Sequence, residues 1–189
     1  LENKEQMKKE NINYFLKYNI STDKKIIFYP ASFWEHKNHK YILETANLLK
    51  KKSIKDFNFL FCGTDRGNLK FIKEEIKKYD LSELISTISF VSNEELVFFY
   101  NNSFAVVMPT IGGPTNLPLY ESFFFKKPIF YNKNILQDEI LKKLIIEIDV
   151  ERPFDFFNKL IDIENINLEE LKINAYEYYL KECDKVKFK

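Results

Sequence analysis

The segment "KKIIFYP", residues 24–30, is followed by "NHKYILETANLLKKK", residues 38–52, and this pair decides the fold class. The first segment is a short, continuous apolar run, which predicts a buried β-strand. The second segment places four apolar residues on one face of a helix: Ile42, Leu43, Ala46 and Leu49. A strand followed by a helix is the unit from which parallel α/β sheets are built.

The same unit recurs along the chain. Further apolar runs predict strands at 57–63, 85–91, 103–109, 127–132 and 143–148. Helical patterns follow them at 68–79, 93–102, 118–126, 135–142, 153–162 and 167–182. Continuous rather than alternating apolar strands are typical of a parallel sheet that is covered on both faces. We therefore predict a doubly wound, Rossmann-like α/β domain with about six parallel strands and helices on both faces.

The predicted domain spans residues 24–189, and residues 1–23 are predicted to form an N-terminal linker that contains a polar helix at 2–18.

The 29 basic and 28 acidic residues nearly cancel, so we expect no general nucleic-acid binding. The two cysteines, Cys62 and Cys183, are far apart, which favours a reducing, cytoplasmic setting. No apolar run reaches the roughly 20 residues of a membrane span, so membrane association is expected only through another part of the protein.

Glycine and proline are concentrated in "MPTIGGPTNLPLYESFF", residues 108–124. The chain has only four glycines and six prolines, and five of these ten lie between positions 109 and 118: Pro109, Gly112, Gly113, Pro114 and Pro118. All four glycines follow the carboxyl ends of predicted strands, where open α/β sheets bind their ligands. We interpret the 109–118 cluster as a ligand-binding loop. For Gly63, a tight turn and a ligand contact stay equally open.

The same stretch predicts a helix start. Thr115 and Asn116 can cap a helix that begins around Leu117, and Pro118 is tolerated in a first turn. The free amide groups at this helix start predict a site for a phosphate or a sugar oxygen. Glu121 follows one turn later and could accept hydrogen bonds from a ribose diol. Taken alone, such a carboxylate more often simply complements the helix dipole.

The loop "YPASFWEHKNH", residues 29–39, follows the first strand. Asn38 could cap the next helix, which would put Lys37 beside the positive end of the helix dipole. Because a cation is unfavourable there, its presence predicts a compensating anion such as a diphosphate, although Lys37 could also be solvated. His36 and His39 could suggest a metal pair, but no suitable third ligand is near, so no metal is expected.

With these two loops and one further stretch, the chain resembles the C-terminal, donor-binding domain of GT-B glycosyltransferases, in particular the retaining glycosyltransferase family 4. The resembling stretches are "YPASFWEHKNH", "VSNEELVFFYNNSFAVVMP" and "MPTIGGPTNLPLYESFFFKKPI", and they occur in the family's order. The resemblance covers about residues 24–182. It implies one half of a GT-B fold, a nucleotide-sugar donor of UDP or GDP type and no cofactor. It also implies transfer of a hexose-type sugar to a glycan or lipid-linked acceptor, which a separate N-terminal domain would hold.

The resemblance also implies roles for individual residues. Lys37 would bind the diphosphate and stabilise the leaving phosphate, and Glu121 would hold the ribose hydroxyls. Backbone amides from Gly113 to Leu117 would meet the diphosphate and the sugar, and the base would lie near 63–66 and 90–93. The full set of expected substrate-binding residues is Ser32, Asn38, Gly63, Gly112, Gly113, Pro114, Thr115, Asn116 and Leu117.

The chain departs from the family pattern in three places. Gly113 stands where the family usually has a first Glu, and Ser32 stands where it often has an Arg. The usual glycine-rich start of the donor domain is replaced by Tyr29, Pro30 and Ala31.

Two other functions stay open beside the transferase: a non-catalytic subunit that binds a nucleotide sugar or a partner protein, and a GT-B nucleotide-sugar epimerase. The presence of both Lys37 and Glu121 favours the transferase over the non-catalytic subunit, which would have no reason to keep both residues. An epimerase would be expected to carry additional ionisable residues in this half.

Overall fold

The computed structural model describes residues 13–112 and 117–187, and its centre is one six-stranded sheet in which every pair of neighbouring strands is parallel. The strands are β1 (Lys25–Pro30), β2 (Phe57–Cys62), β3 (Ile85–Ile88), β4 (Ala105–Met108), β5 (Ile129–Asn132) and β6 (Ile146–Ile148). Their order in the sheet is β3-β2-β1-β4-β5-β6. This is the strand order of a doubly wound sheet, so the predicted fold class is confirmed.

Helices separate the strands as the sequence pattern predicts. They are α1 (Tyr14–Lys17), α2 (His39–Lys51), α3 (Leu69–Lys78), α4 (Asn93–Asn102), α5 (Leu117–Phe124), α6 (Glu139–Lys142), α7 (Pro153–Ile161) and α8 (Leu168–Lys187). Of the predicted helix at 2–18, residues 2–12 lie outside the described residues, and the rest contains only the single turn of α1. Within 13–112 and 117–187, no helix is both long enough and apolar enough to cross a membrane.

The continuous apolar strands follow from the position of the helices. All residues of β2, β4 and β5 are buried, because helices cover both faces of the sheet. Right-handed crossovers place α2 and α3 on one face, and they place α4, α5 and α6 on the other. On these two layers, α7 packs against α2, and α8 packs against α5. The core of the domain therefore lies on both sides of the sheet.

The third strand is shorter than predicted. It ends at Ile88, whereas the apolar run continues to Val91. Phe90 is 74% exposed, and both Phe90 and Val91 line a cleft at the edge of the sheet. Their apolar character therefore belongs to the cleft wall and not to the strand.

The central pair of strands separates at its carboxyl end. Strand β1 pairs with β2 along its whole length, from Lys25 opposite Phe57 to Pro30 opposite Cys62. Its register with β4 contains only two pairs, and the last joins Phe28 to Val106. The loops that follow β1 and β4 are therefore free to diverge, and a crevice opens between them.

The short helix α1 is fastened to α4 by one carboxylate. Glu95 accepts hydrogen bonds from the Lys17 ammonium at 2.6 Å and from the Tyr18 hydroxyl at 2.7 Å. It also accepts one from the Ser92 amide at 2.7 Å, which completes a capping box at the start of α4. Glu95 thus links the N-terminal segment to the helix that follows β3.

We predict that Glu95 makes folding stability depend on pH below about pH 5. Burial acts to raise the pKa of Glu95. Hydrogen bonds from Lys17, the Ser92 amide and Tyr18 outweigh this effect and lower the pKa to about 2. A carboxyl whose pKa is depressed by folding stabilises the protein above its unfolded pKa, and this contribution is lost as the pH falls toward the folded pKa. Urea unfolding of wild type and Glu95→Gln at several pH values should show a stability difference that shrinks between about pH 5 and pH 3. Glu74→Gln, on the exposed side of α3, is the control. A difference that does not change with pH would contradict the assignment.

Candidate functional site

The carboxyl edge of the sheet holds a cleft of about 420 Å³. It lies between the loops that follow β1, β2 and β3 and the first turns of α5. The polar and aromatic residues that line it are Ser32, Trp34, Lys37, Thr64, Phe90 and Glu121. A larger cleft of about 600 Å³ lies at the opposite edge, between Lys25, Phe104 and residues 163–169. We assign the site to the carboxyl edge because parallel sheets bind ligands there and because it brings Lys37 and Glu121 together.

Some of the predicted binding residues line the cleft, and others do not or lie outside the described residues. Five of them line the cleft: Ser32, Lys37, Gly63, Leu117 and Glu121. Asn38 and Gly112 are not among its lining residues. The remaining four, Gly113, Pro114, Thr115 and Asn116, lie outside the described residues, and so does the predicted cap of α5. Within the described residues, α5 includes Leu117 and has Pro118 in its first turn, which agrees with the predicted helix.

Lys37 is held half-buried at the end of a short 3-10 helix, Glu35–Lys37. Burial lowers the pKa of its ammonium group. Within residues 13–112 and 117–187, this ammonium has no hydrogen-bonding or ion-pair partner. The backbone carbonyl of Lys37, in contrast, accepts a hydrogen bond from the Tyr29 hydroxyl at 2.5 Å. The loop is therefore fixed, and its cation is left facing the cleft without a counter-charge among the described residues.

The predicted capping role of Asn38 is wrong. Asn38 does precede α2, but its backbone is in the left-handed region, with φ 56° and ψ 42°, and its side chain makes no capping hydrogen bond. Side-chain capping normally needs an extended backbone at this position. The Asn38 side-chain amide instead donates to the carbonyl of Pro109 at 3.2 Å. It joins the loop after β1 to the loop after β4.

Further hydrogen bonds join the same two loops. The Ile111 amide donates to the carbonyl of His36 at 3.0 Å, and the Thr110 hydroxyl lies 3.2 Å from the same oxygen. The buried side chain of Asn132, at the end of β5, donates to the carbonyl of Thr110 at 2.9 Å. The start of the glycine-rich loop is thus fixed relative to the loop that carries Lys37.

Glu121 lies on the second turn of α5 and contacts a buried tyrosine. Its Oε2 accepts a hydrogen bond from the Tyr100 hydroxyl at 2.7 Å. Burial and the nearby charge of Glu121 raise the pKa of Tyr100 well above its usual value, so its hydroxyl stays a donor at all ordinary pH values. Within the described part of the chain, Glu121 has no cationic partner. One carboxylate oxygen is therefore held from behind, while the side chain lines the cleft.

Two exposed aromatic residues stand in the cleft wall: Trp34, which was not among the predicted site residues, and Phe90, which lies in the segment 90–93 where the base was expected. Trp34 is 45% exposed, and Phe90 is 74% exposed. The guanidinium carbon of Arg66 lies 5.8 Å from the centre of the Trp34 ring, a cation–π distance. The signal for Trp34 in the sequence was its position in a loop after a predicted strand, where no core packing requires an aromatic residue. Such rings offer flat apolar surfaces to a base or a sugar.

His39 is excluded as a metal ligand by its surroundings. It is fully buried among the rings of Tyr29, Phe33 and Phe61, with centroids 4.7 to 5.2 Å away. Burial is the main reason that its pKa falls to about 3, so it is neutral. Among the described residues, no cluster of three His, Cys, Asp or Glu side chains could hold a metal ion.

Gly63 is required by the packing of two loops. A Cβ at this position would lie 2.3 Å from the carbonyl oxygen of Ala31 and 2.7 Å from the amide nitrogen of Ser32. The same loops are joined by a hydrogen bond from the Phe33 amide to the carbonyl of Thr64, at 2.9 Å. The structure thus favours a packing role for Gly63, although it also lines the cleft.

The sheet and the cleft define a doubly wound α/β domain with its candidate binding site at the point where the strand order reverses. A family model described as glycosyl transferases group 1 matches residues 10–178. The chain therefore belongs to the group 1 glycosyl transferases, as the sequence motifs suggested. No curated protein sequence gives a match.

Solved structures share the fold at low sequence identity. The C-terminal domain of a group 1 glycosyl transferase (LpcC) from Francisella tularensis has a TM-score of 0.68 and 20% identity, over 80% of this chain and 82% of that one. A glycosyltransferase from Rickettsia africae has a TM-score of 0.75 and 17% identity, over 89% and 46%. Anabaena Alr3699/HepE in complex with UDP has a TM-score of 0.71 and 10% identity, over 84% and 44%. The chain thus spans less than half the length of the latter two proteins and matches one half of GT-B enzymes.

We predict that Gly63→Ala destabilises the domain by about 1 to 3 kcal/mol, because an added methyl group in a filled space forces the backbone to move. The clashing atoms are backbone atoms of Ala31 and Ser32, which cannot rotate away. The midpoint of urea unfolding gives the measurement. Gly112→Ala is the matched control, because a Cβ there meets no atom within 4 Å in the described structure. Equal stability of the two variants would contradict the proposed packing role.

Proposed function

We propose that this domain binds the nucleotide-sugar donor of a retaining glycosyltransferase, which transfers a hexose-type sugar to a glycan or lipid-linked acceptor. The observation that carries the proposal is the presence of Lys37 and Glu121 in one cleft, with Lys37 on the loop after β1 and Glu121 on α5, the helix that follows β4. The ammonium group lacks a counter-charge, and the carboxylate lacks a cation, within the described residues. A ligand with an anionic end and a hydroxyl-bearing end satisfies both groups.

Lys37 is suited to the diphosphate of such a donor. A diphosphate supplies the negative charge that the half-buried ammonium lacks, and charge-assisted hydrogen bonds are stronger than neutral ones. During transfer, negative charge grows on the departing nucleoside diphosphate, so a fixed cation beside it stabilises the transition state. Helix α5 begins at Leu117 on the same cleft, and its dipole adds positive potential there.

Glu121 is suited to the ribose of the donor. A carboxylate accepts hydrogen bonds and donates none when it is ionised, so its natural partners are hydroxyl groups. The ribose diol offers two such hydroxyls. Trp34, Phe90 and Val91 give the cleft apolar walls against which a base can pack. The volume of about 420 Å³ lies within the range of small-molecule sites, roughly 300 to 1,000 Å³.

The donor is proposed to be a UDP or GDP sugar, and the reaction is proposed to occur in the cytoplasm. HepE, which shares the fold, has been solved with UDP and with UDP-glucose. Both cysteines of this chain are free, which agrees with a reducing compartment. In the proposed enzyme, a second domain holds the acceptor, and the reaction takes place between the two.

We predict that the chain as it stands binds UDP or GDP but transfers no sugar at an appreciable rate. Fixing both reactants in one site can remove roughly 7 to 11 kcal/mol from a barrier, and a domain without the acceptor lacks this contribution. Isothermal titration with UDP, GDP and ADP tests the binding. A product assay with UDP-glucose and GDP-mannose, with and without a separately expressed N-terminal half, tests the transfer. Sugar transfer by this chain alone would contradict the proposal that a second domain holds the acceptor. If the chain binds no nucleotide, a non-catalytic binding subunit would be favoured.

Two substitutions should each weaken UDP binding, one through the diphosphate and the other through the ribose. Lys37→Ala should weaken UDP binding by about 10- to 100-fold and leave uridine binding nearly unchanged, because a charge-assisted contact is worth roughly 1.5 to 3 kcal/mol. Glu121→Gln should weaken UDP binding and leave 2′,3′-dideoxyuridine diphosphate nearly unchanged, because that analogue lacks the ribose hydroxyls. Titration calorimetry gives the affinities, and Lys40→Ala, on the exposed face of α2, is the charge-matched control. An equal loss for all three ligands would indicate a structural defect instead.

A further inference from the structure

Two buried tyrosine hydroxyls lie directly behind the two charged residues of the cleft. The Tyr29 hydroxyl donates to the carbonyl of Lys37 at 2.5 Å, and the Tyr100 hydroxyl donates to Oε2 of Glu121 at 2.7 Å. Both tyrosines are 0% exposed, and neither lines the cleft. We propose that Tyr29 and Tyr100 are positioning residues, which hold Lys37 and Glu121 in the orientations that bind the diphosphate and the ribose of the donor. This inference rests on the proposed function.

The Tyr100 ring is a rigid platform for its hydroxyl. It stacks nearly parallel on Phe125, at 4.9 Å and 8°, and meets Phe28 edge-on, at 5.1 Å and 87°. Without the hydrogen bond from the Tyr100 hydroxyl, the Glu121 side chain could rotate about several bonds, and ligand binding would have to overcome the loss of that conformational entropy. A hydrogen bond from a fixed donor to one carboxylate oxygen removes part of that freedom before the ligand arrives. The other oxygen is left for the ribose hydroxyls.

Tyr29 acts on Lys37 through the backbone. The hydroxyl of this β1 residue binds the carbonyl of Lys37, where the short 3-10 helix ends and the chain turns through the left-handed Asn38. The Tyr29 ring is packed against His39 and Phe61, so its position does not depend on the hydroxyl. Burial disfavours the charged form of Lys37, and outward movement of the loop would relieve this penalty. The hydrogen bond opposes that movement.

Each hydroxyl could instead serve only to satisfy buried polar groups, as buried hydroxyls generally do. The two roles differ in what their loss changes. Loss of a structural hydrogen bond lowers stability and weakens all ligands alike. Loss of a positioning hydrogen bond weakens only those ligands that use the positioned group.

The test is isothermal titration of Tyr29→Phe and Tyr100→Phe with UDP, uridine and 2′,3′-dideoxyuridine diphosphate. The guanosine series replaces these ligands if the wild type selects GDP. Both substitutions keep the packed ring and remove one hydrogen bond. Tyr29→Phe should weaken UDP by about tenfold and leave uridine unchanged, whereas Tyr100→Phe should weaken UDP by about tenfold and leave the dideoxy analogue unchanged.

The matched control is Tyr41→Phe. Tyr41 is buried on α2, its ring stacks on Phe156 of α7, and its hydroxyl lies 3.5 Å from the carbonyl of Arg152, away from the cleft. It should change the affinity of none of the three ligands. Double-mutant cycles add a second measurement, the coupling free energy between each tyrosine and the charged residue that it positions. Tyr100→Phe should have no further effect on UDP binding in a Glu121→Ala background, which removes the acceptor of its hydrogen bond, and Tyr29→Phe should have none in a Lys37→Ala background.

The outcomes separate this inference from the proposed function. If the wild type binds no nucleotide, the proposed function fails and this inference fails with it. If the wild type binds UDP or GDP but the tyrosine variants weaken all ligands equally, or none, only the positioning role is overturned. The same holds if the tyrosine effects persist undiminished in the double variants, or if loss of a hydroxyl tightens binding.

Discussion

The reversal of strand order between β1 and β4 is the constraint on which the candidate site depends. All six strands point the same way, so their carboxyl ends meet at one edge. Because crossovers are right-handed, the chain leaves β1 toward one face and leaves β4 toward the other. Pairing between these strands stops at Phe28 and Val106, although both continue beyond this point. The cleft is the space that this separation leaves, and Pro30 and Met108 at the strand ends line it.

A separation of this kind could produce two mobile loops, but the structure joins them across the gap. Asn38 bonds to the carbonyl of Pro109, and the Ile111 amide bonds to the carbonyl of His36. On the other side, the loops after β1 and β2 pack so closely that Gly63 has no room for a side chain. The residues that meet in the cleft therefore come from distant parts of the chain but from one rigid edge. Rigid support of this kind is what a preorganised binding site needs.

The sequence predicts those features that are written in local patterns. Continuous apolar runs gave the strands, and the helix start at Leu117 was visible from its proline and its possible caps. The failures concern side chains whose partners are distant in sequence. Asn38 looked like a helix cap, but its partner, Pro109, lies 71 residues away. Tyr100 was part of a helical pattern, and nothing local revealed its contact with Glu121. Only the folded structure shows that Trp34 and Phe90 line the same cleft at the carboxyl edge of the sheet.

The electrostatics of Lys37 set it apart from other lysines that are removed from full exposure. Lys159 pairs with Asp155 at 2.9 Å, and Lys127 donates to the carbonyl of Asn101 at the same distance. Lys37 is half-buried and its pKa is lowered, yet it has no acceptor within the part of the chain that the structure describes. A half-buried, unpaired charge opposes folding, and local rules of this kind are broken mainly where a ligand completes the interaction. At Lys37, the position of the ammonium group that favours ligand binding is therefore unfavourable for stability. The hydrogen bond from Tyr29 to its carbonyl holds the loop in place, so that the ammonium group stays in the cleft where a bound anion would neutralise it.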